Sequence, residues 1–196
     1  ARGQLFALVV EFVEALVRSL FDRRADGLPV FDLVAQLLEF EFDLTDVLYA
    51  VVDRRRKLPV TVFLRAIGCG TDEDILKEFC GIEVIKADAL ADFKPAIGRV
   101  CAAAVTDPAT HAVLVPRLEE LTKDHVTLLW NAEIRQVKVL KKSVPEIRNT
   151  FAKDRLKTRE DSMLDIFRRL RPGDPATIAA AQALLTSFFF DPKTYD

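Results

Sequence analysis

Residues 53–68 read Asp53-Arg54-Arg55-Arg56-Lys57-Leu58-Pro59-Val60-Thr61-Val62-Phe63-Leu64-Arg65-Ala66-Ile67-Gly68, and this stretch decides how the chain is understood. Four cations, Arg54, Arg55, Arg56 and Lys57, stand side by side. An apolar, strand-like run precedes them and an apolar helical run follows. Pro59 suits the first turn of that helix, where no backbone donor is required. Gly68 suits its end, because glycine takes a left-handed cap without a Cβ clash. The cations are therefore expected at a strand-to-helix junction between two buried elements. On the residues alone, such a run is either a solvated charge cluster or a set of phosphate contacts.

Upstream, Leu38, Phe40 and Phe42 alternate with Glu39 and Glu41. Period two predicts a strand with one wet face. Residues 43–46 turn the chain, and 47–52 return as a more buried strand, giving a hairpin. Further back, residues 4–22 read as a helix. Leu5, Phe6, Leu8, Val9, Val10, Phe12, Val13, Leu16, Val17, Leu20 and Phe21 cover more than half of its circumference. Glu11, Glu14 and Arg18 share the remaining face, with Glu14 and Arg18 spaced as an i,i+4 pair. So wide an apolar arc calls for burial on more than one side, by the rest of the fold or by a second copy. Residues 26–29 form a turn, and 31–38 a short helix.

Downstream, Thr71 and Asp74 make a capping box ahead of a helix at 75–79, closed by Gly81. Residues 82–86 read as a strand and 87–97 as irregular. Residues 99–105 and 111–115 read as strands flanking the DPAT turn at 107–110, with His111 a turn or surface residue. Thr122 caps a helix to Asn131, and 134–140 is a strand. The chain is then helical at 144–153, 159–170 and 176–189, with the last two helices parted by Pro172-Gly173-Asp174-Pro175. In the final helix Ile178, Leu184, Leu185, Phe188 and Phe189 are expected to face the core.

A chain of 196 residues, 50% hydrophobic and 30% charged, can bury one core or two small ones. Its formal net charge of -2 gives no global cationic field, so any nucleic-acid contact must come from local patches. Cys69, Cys80 and Cys101 lack metal-site spacing, and two histidines do not complete a zinc set. They read as buried free thiols in a reducing cytoplasm. No span of eighteen uncharged apolar residues predicts a membrane helix, and no cleavable signal is evident. With no initiator Met, the chain reads as a fragment or an engineered piece.

Motifs for catalysis are not found: no Gly-rich phosphate loop, nucleophile elbow or HExxH occurs, and no pair of carboxylates is singled out by spacing. Cations are better placed. On the helix at 159–170, Met163, Leu164, Ile166, Phe167 and Leu170 gather on one side, and Arg168 and Arg169 point away. Arg171 lies at the rim before Pro172, which biases its backbone toward an extended form. With Arg54, Arg55, Arg56, Lys57, Lys141 and Lys142, these are the candidate phosphate contacts, able to position a duplex without reading its sequence.

Several motifs, in order, resemble the lobe region of the β subunit of bacterial RNA polymerase. They begin with LEFEFD (38–43), DVLYAVVDRRRKLPVTVFLRAIG (46–68) and TDEDIL (71–76). DPAT (107–110) and LEELTKDHVTLLWNAEIRQVKVL (118–140) follow. IRNTFAKD (147–154), IFRRLRPGDPAT (166–177) and FFFDPKTYD (188–196) complete the set. The resemblance runs from about residue 37 to the end and leaves 1–36 as an unmatched helical segment packing on a lobe-like domain. It implies an α+β fold, mostly helical with short antiparallel strands. It further implies one jaw of the polymerase's main channel, opposite the clamp, holding downstream duplex and the non-template strand. The catalytic centre and its Mg2+ would lie elsewhere in the parent nucleotidyltransferase, so this chain alone is expected to be inactive and to carry no cofactor. The implied partners are DNA, bound weakly and without sequence preference, the other polymerase subunits and sigma factor, in the cytoplasm and away from membranes. The arginine of the RPG motif, matched by Arg171, lies near DNA in that family.

The chain also departs from the family. Leu37 stands where a tryptophan is usual, which removes a base-stacking surface. Thr194 replaces an arginine in DPKRYD, and the family's lead-in strand gives way to the N-terminal helix. His111 occupies a position where the family often has glycine. A contrasting expectation is a lobe-like interaction or scaffold domain that docks protein through its N-terminal helix and does not contact DNA.

Overall fold

The computed structural model describes residues 2–21, 38–52 and 56–190, apart from the side chains of 14, 16–21 and 188–190. The expected turn at 26–29 and most of the helix at 31–38 lie outside those residues, as does the boundary at 36/37. The architecture is α+β, with helices predominating over three small antiparallel sheets. The chain divides into two compact units, one formed by Ala1–Ile75 with Pro145–Asp196 and the other by Leu76–Val144.

In the first unit, α1 (Arg2–Phe21) precedes a three-stranded sheet of order β1-β2-β3. β1 (Leu38–Phe42) and β2 (Leu48–Val52) form the expected hairpin, with Phe40 opposite Ala50. Asp43 builds the turn by accepting bonds from the backbone N–H of Thr45 at 2.8 Å and of Val47 at 3.0 Å. The Val47 bond is the main reason its carboxyl titrates below the usual value. A third strand, β3 (Arg56–Pro59), was not expected: the basic junction itself pairs antiparallel with β2, Leu58 opposite Ala50. Backbone pairing needs no side-chain alternation, so a run of cations can be a strand when its neighbour offers an open edge.

Pro59 ends β3 and sits at the N-cap of α2 (Val60–Ile67). Gly68 closes α2, its N–H bonded to Leu64 O. Its φ of 157° differs from the αL value of a left-handed cap. Helices α5 (Pro145–Lys153), α6 (Arg159–Leu170) and α7 (Ile178–Phe190) complete the unit. α2 packs on β2, β3, α5 and α6, and α6 packs on α7. Thr158 caps α6 by accepting from Asp161 N–H at 3.1 Å. Among the described side chains of α7, Ala181 and Leu185 are buried, while Ile178 is 49% exposed, against the expectation for that residue; those of Phe188 and Phe189, also expected in the core, lie outside those described. Ile178 begins the helix, one turn before the buried positions. Among the described side chains of α1, Leu5, Val9 and Val13 are buried; Phe6 sets its edge against Phe40, yet Phe6 and Leu8 remain 39% and 48% exposed.

A buried polar network crosses this unit. Arg65 of α2 is 0% exposed and donates to Asp154 Oδ2 at 2.8 Å, Ser162 Oγ at 3.2 Å and Asp72 Oδ1. Thr61 Oγ1 donates to the same Asp154 oxygen at 2.7 Å. Burial works against the Arg65 charge, but the bonds to Asp72 and Asp154 outweigh it and hold its pKa above the ordinary value. Thr150 adds a second link, accepting from Leu48 N–H at 3.0 Å and donating to Glu146 O at 2.7 Å.

In α3 (Asp72–Cys80) the Thr71–Asp74 capping box is present in both directions, with Asp74 N–H to Thr71 Oγ1 and Thr71 N–H to Asp74 Oδ2 at 3.1 Å each. The helix starts at Asp72, earlier than the apolar residues alone suggest. In the second unit, β4 (Ile82–Lys86) pairs antiparallel with β7 (Gln136–Leu140). Residues 90–96 form a 3₁₀ helix where irregular chain was expected, nucleated by Asp92 accepting from the N–H groups of Asp88 and Ala89. The strands around DPAT shrink to β5 (Val105–Thr106) and β6 (Val113–Val115), because Val100 and Cys101 bridge to Glu120 and Val139 instead. Thr122 caps α4 (Lys123–Asn131). The core gathers Phe93, Cys101, Val115, Leu121, Leu129 and Val139. Cys69, Cys80 and Cys101 are all buried and none is in a disulfide; burial pushes the thiols of Cys80 and Cys101 up to about 11.

Candidate nucleic-acid interface

Arg56 and Lys57 open β3 with exposed side chains, while Leu58, next in the strand, is buried. Arg54 and Arg55 lie outside the described residues, as do Leu37 and Thr194. Lys57 pairs with Glu41 of β1, reaching across the intervening β2. The bond that Lys57 donates to Glu41 raises the Lys57 pKa. Arg168 and Arg169 occupy the last turn of α6, where cations complement the negative end of the helix dipole. Arg171 is the C-cap, its N–H bonded to Phe167 O at 2.8 Å, with φ -126° and ψ 66°. All three are exposed, whereas Met163, Ile166 and Phe167 of the same helix are buried. The helix therefore turns its apolar side inward and presents its arginines to solvent.

Two of these separated segments meet. Arg169 Nη1 donates to the Lys57 carbonyl oxygen at 3.1 Å, and its Nε donates to Asp165 Oδ2 at 2.7 Å. Arg56, Lys57, Arg168, Arg169 and Arg171 thus all belong to the first unit, with β3 and the end of α6 in direct contact. Among the described residues, Arg56, Arg168 and Arg171 make no ion pair. Lys141 and Lys142 belong to the second unit, where their backbone N–H groups bond to Gly81 O and Cys80 O at 3.0 Å each. The Lys141 stem also lies over Gly81, so that a Cβ added there would come within 3.2 Å of it.

The carboxylates Glu41 and Asp165 were not singled out from sequence. Asp165 carried a readable signal, the i,i+4 spacing to Arg169. Glu41 did not, because its partner is set by strand order. Among the described residues no cluster of His, Cys, Asp or Glu is placed to hold a metal ion, and no helix is long and apolar enough to cross a membrane.

The arrangement defines an α+β domain that carries cations at a sheet edge and an adjoining helix end. Comparison with known proteins gives its family: residues 33–130, half of the chain, match RNA polymerase Rpb2, domain 2, and the chain belongs to that family. It is 33% identical over 165 residues to a DNA-directed RNA polymerase subunit beta of Leptospira biflexa, and 35% identical over 164 residues to that of Chlamydia felis. A third relative, from Sorangium cellulosum, is 32% identical over 215 residues. Each comparison covers 81% of this chain, but only 13%, 13% and 16% of the respective relatives. The chain therefore spans a small part of the length of the polymerase subunits it matches.

Proposed function

We propose that this chain is the lobe portion of an RNA polymerase β subunit, acting in transcription as one jaw of the main channel. In this reading the surface of Arg56, Lys57, Arg168, Arg169 and Arg171 lies along the phosphates of downstream duplex and non-template strand. The observation that carries it is the contact of Arg169 with Lys57, which joins two cationic segments 112 residues apart in sequence. Such contacts hold a backbone without reading bases, so binding is weak, non-specific and steeply salt-dependent. Polymerization chemistry, with its Mg2+, belongs to other parts of the enzyme, and the other subunits and sigma factor are the partners of the full assembly. A cytoplasmic location accompanies that role.

Titrating the chain with random-sequence duplex at low and moderate salt tests the proposal. Neutralising Arg56, Lys57, Arg168, Arg169 and Arg171 together should weaken binding and flatten its salt dependence, each lost contact changing the slope by about 0.9. An unchanged affinity and slope would make the patch a solubilising surface only. A second reading, a protein-docking module that leaves DNA alone, draws on the exposure of Phe6 and Leu8 on α1. It predicts no duplex binding, and loss of subunit capture when both are changed to serine.

A further inference from the structure

The two cations that touch across β3 and α6, Lys57 and Arg169, each hold a carboxylate. Lys57 carries Glu41, brought across β2 by the strand order, and Arg169 carries Asp165 from one turn earlier in its own helix. The two pairs arise on independent elements, yet the cations adjoin through the bond from Arg169 to the Lys57 carbonyl. Carboxylate and phosphate oxygens use the same ammonium and guanidinium donors. Both pairs are solvent-accessible, and pairs of this kind add little net stability, so an incoming anion can replace either carboxylate readily.

We propose that Glu41 and Asp165 are positioning residues that stand in for phosphate, keeping Lys57 and Arg169 ordered and occupied until a nucleic-acid backbone displaces them. The proposal rests on the duplex-binding reading above. It makes the resting grip weaker than the number of cations suggests. Two phosphates take the positions of the two carboxylates, and each displaced carboxylate turns to solvent. The Lys57 carbonyl remains a fixed acceptor for Arg169 in both states, which preserves the orientation of the guanidinium.

The test measures duplex affinity against salt concentration for the whole chain, Glu41→Gln, Asp165→Asn and the double variant. Removing each competing carboxylate should tighten binding on the order of 3- to 10-fold at low salt and steepen the salt slope by up to about 0.9. Asp165→Glu, which restores a carboxylate, should return toward the parent behaviour. Glu160→Gln, an equal change of net charge at an exposed position of the same helix, should do much less. Equal gains from Glu160→Gln would reduce the effect to net charge and overturn the proposal. If neutralising the five cations weakens binding while Glu41→Gln and Asp165→Asn change nothing, the duplex reading stands and the stand-in role falls. If neither the parent nor the double variant binds duplex, both fall.

Discussion

The first unit buries a whole guanidinium, Arg65, together with Asp154, Ser162, Thr61 and Thr150, whereas the core cluster of the second unit is apolar, built around Phe93, Leu129 and Val139. Apolar burial is strong but has no direction. A buried ion with hydrogen-bonded partners demands one arrangement, since losing any partner leaves charge uncompensated. The first unit therefore fixes the relative placement of α2, α5 and α6, the helices behind the cationic surface, by polar links. In the connections of the second, His111, Leu118 and Glu133 all adopt positive φ, between 57° and 65°. Asp46, in the β1–β2 turn of the first unit, does the same at 60°, so what separates the units is the buried ion network of the first.

The largest effects should come from cutting the polar links. Asp154→Ala takes a buried carboxylate from Arg65 and Thr61 at once, leaving Arg65 only Asp72 and Ser162, and a loss of about 3–5 kcal/mol in urea unfolding is expected. Arg65→Met should fall in the same range, because Asp154 then keeps its charge without its main partner. A loss below about 1 kcal/mol for either would show that the network is incidental and the contrast between units false. Phe93→Ala tests the other side. A fully buried Phe truncated to Ala costs about 3–5 kcal/mol. Hydrogen exchange distinguishes the two: Asp154→Ala should expose amides of α2 and α6 first, and Phe93→Ala those of β4, β7 and α4. Equal loosening everywhere in both variants would merge the units energetically.

Thiol chemistry probes the second core without mutation. With the Cys80 and Cys101 thiols pushed up to about 11 from 9.0, the thiolate fraction near neutral pH drops about a hundredfold beyond any steric protection. Iodoacetamide should label them only as the unit opens. Labelling at the rate of the urea-unfolded chain would mean that this core admits water.

Sequence reading recovered the elements whose signals are local. The β1–β2 hairpin followed from alternation of Leu38, Phe40 and Phe42 with Glu39 and Glu41, and α3 and α4 from the caps Thr71 and Thr122. What it missed is non-local. β3 is a strand because β2 offers a hydrogen-bonding edge, which no property of Arg56 or Lys57 announces. The Arg65 network joins residues 89 and 97 positions apart, so Arg65 read as one more residue of an apolar helix. At the candidate interface the cations were visible and Asp165 was readable from its i,i+4 spacing to Arg169, but Glu41 was not, since strand order decides what Lys57 meets. Leu118 and Glu133 carried no sign of their positive φ.

The smallest expected effect concerns the turn at 107–111, where a local signal did exist. His111 has φ 57°, a left-handed conformation that costs a residue with a Cβ roughly 1–2 kcal/mol relative to its right-handed state. Glycine pays no such penalty but has more freedom to lose on folding. His111→Gly should therefore stabilise the second unit by at most about 1 kcal/mol. The turn is also held by Asp107, which accepts from Ala109 N–H at 2.8 Å and Thr110 N–H at 3.4 Å. The Ala109 bond foremost lowers its pKa below 3.8. A carboxyl depressed in the folded state stabilises fully above its unfolded value, and that contribution disappears as pH falls through the folded one. Acid should thus weaken this turn only below about pH 4, and Asp107→Asn should blunt that dependence by removing the titrating group. Exchange rates of the His111 and Ala112 amides, whose N–H groups bond to Asp107 O and Thr110 Oγ1, give the readout. Slower exchange in His111→Gly fits relief of backbone strain, while the acid midpoint should rise slightly because the His111 charge also helps to lower the Asp107 pKa. Faster exchange would mean that the histidine ring, rather than its φ, governs the turn.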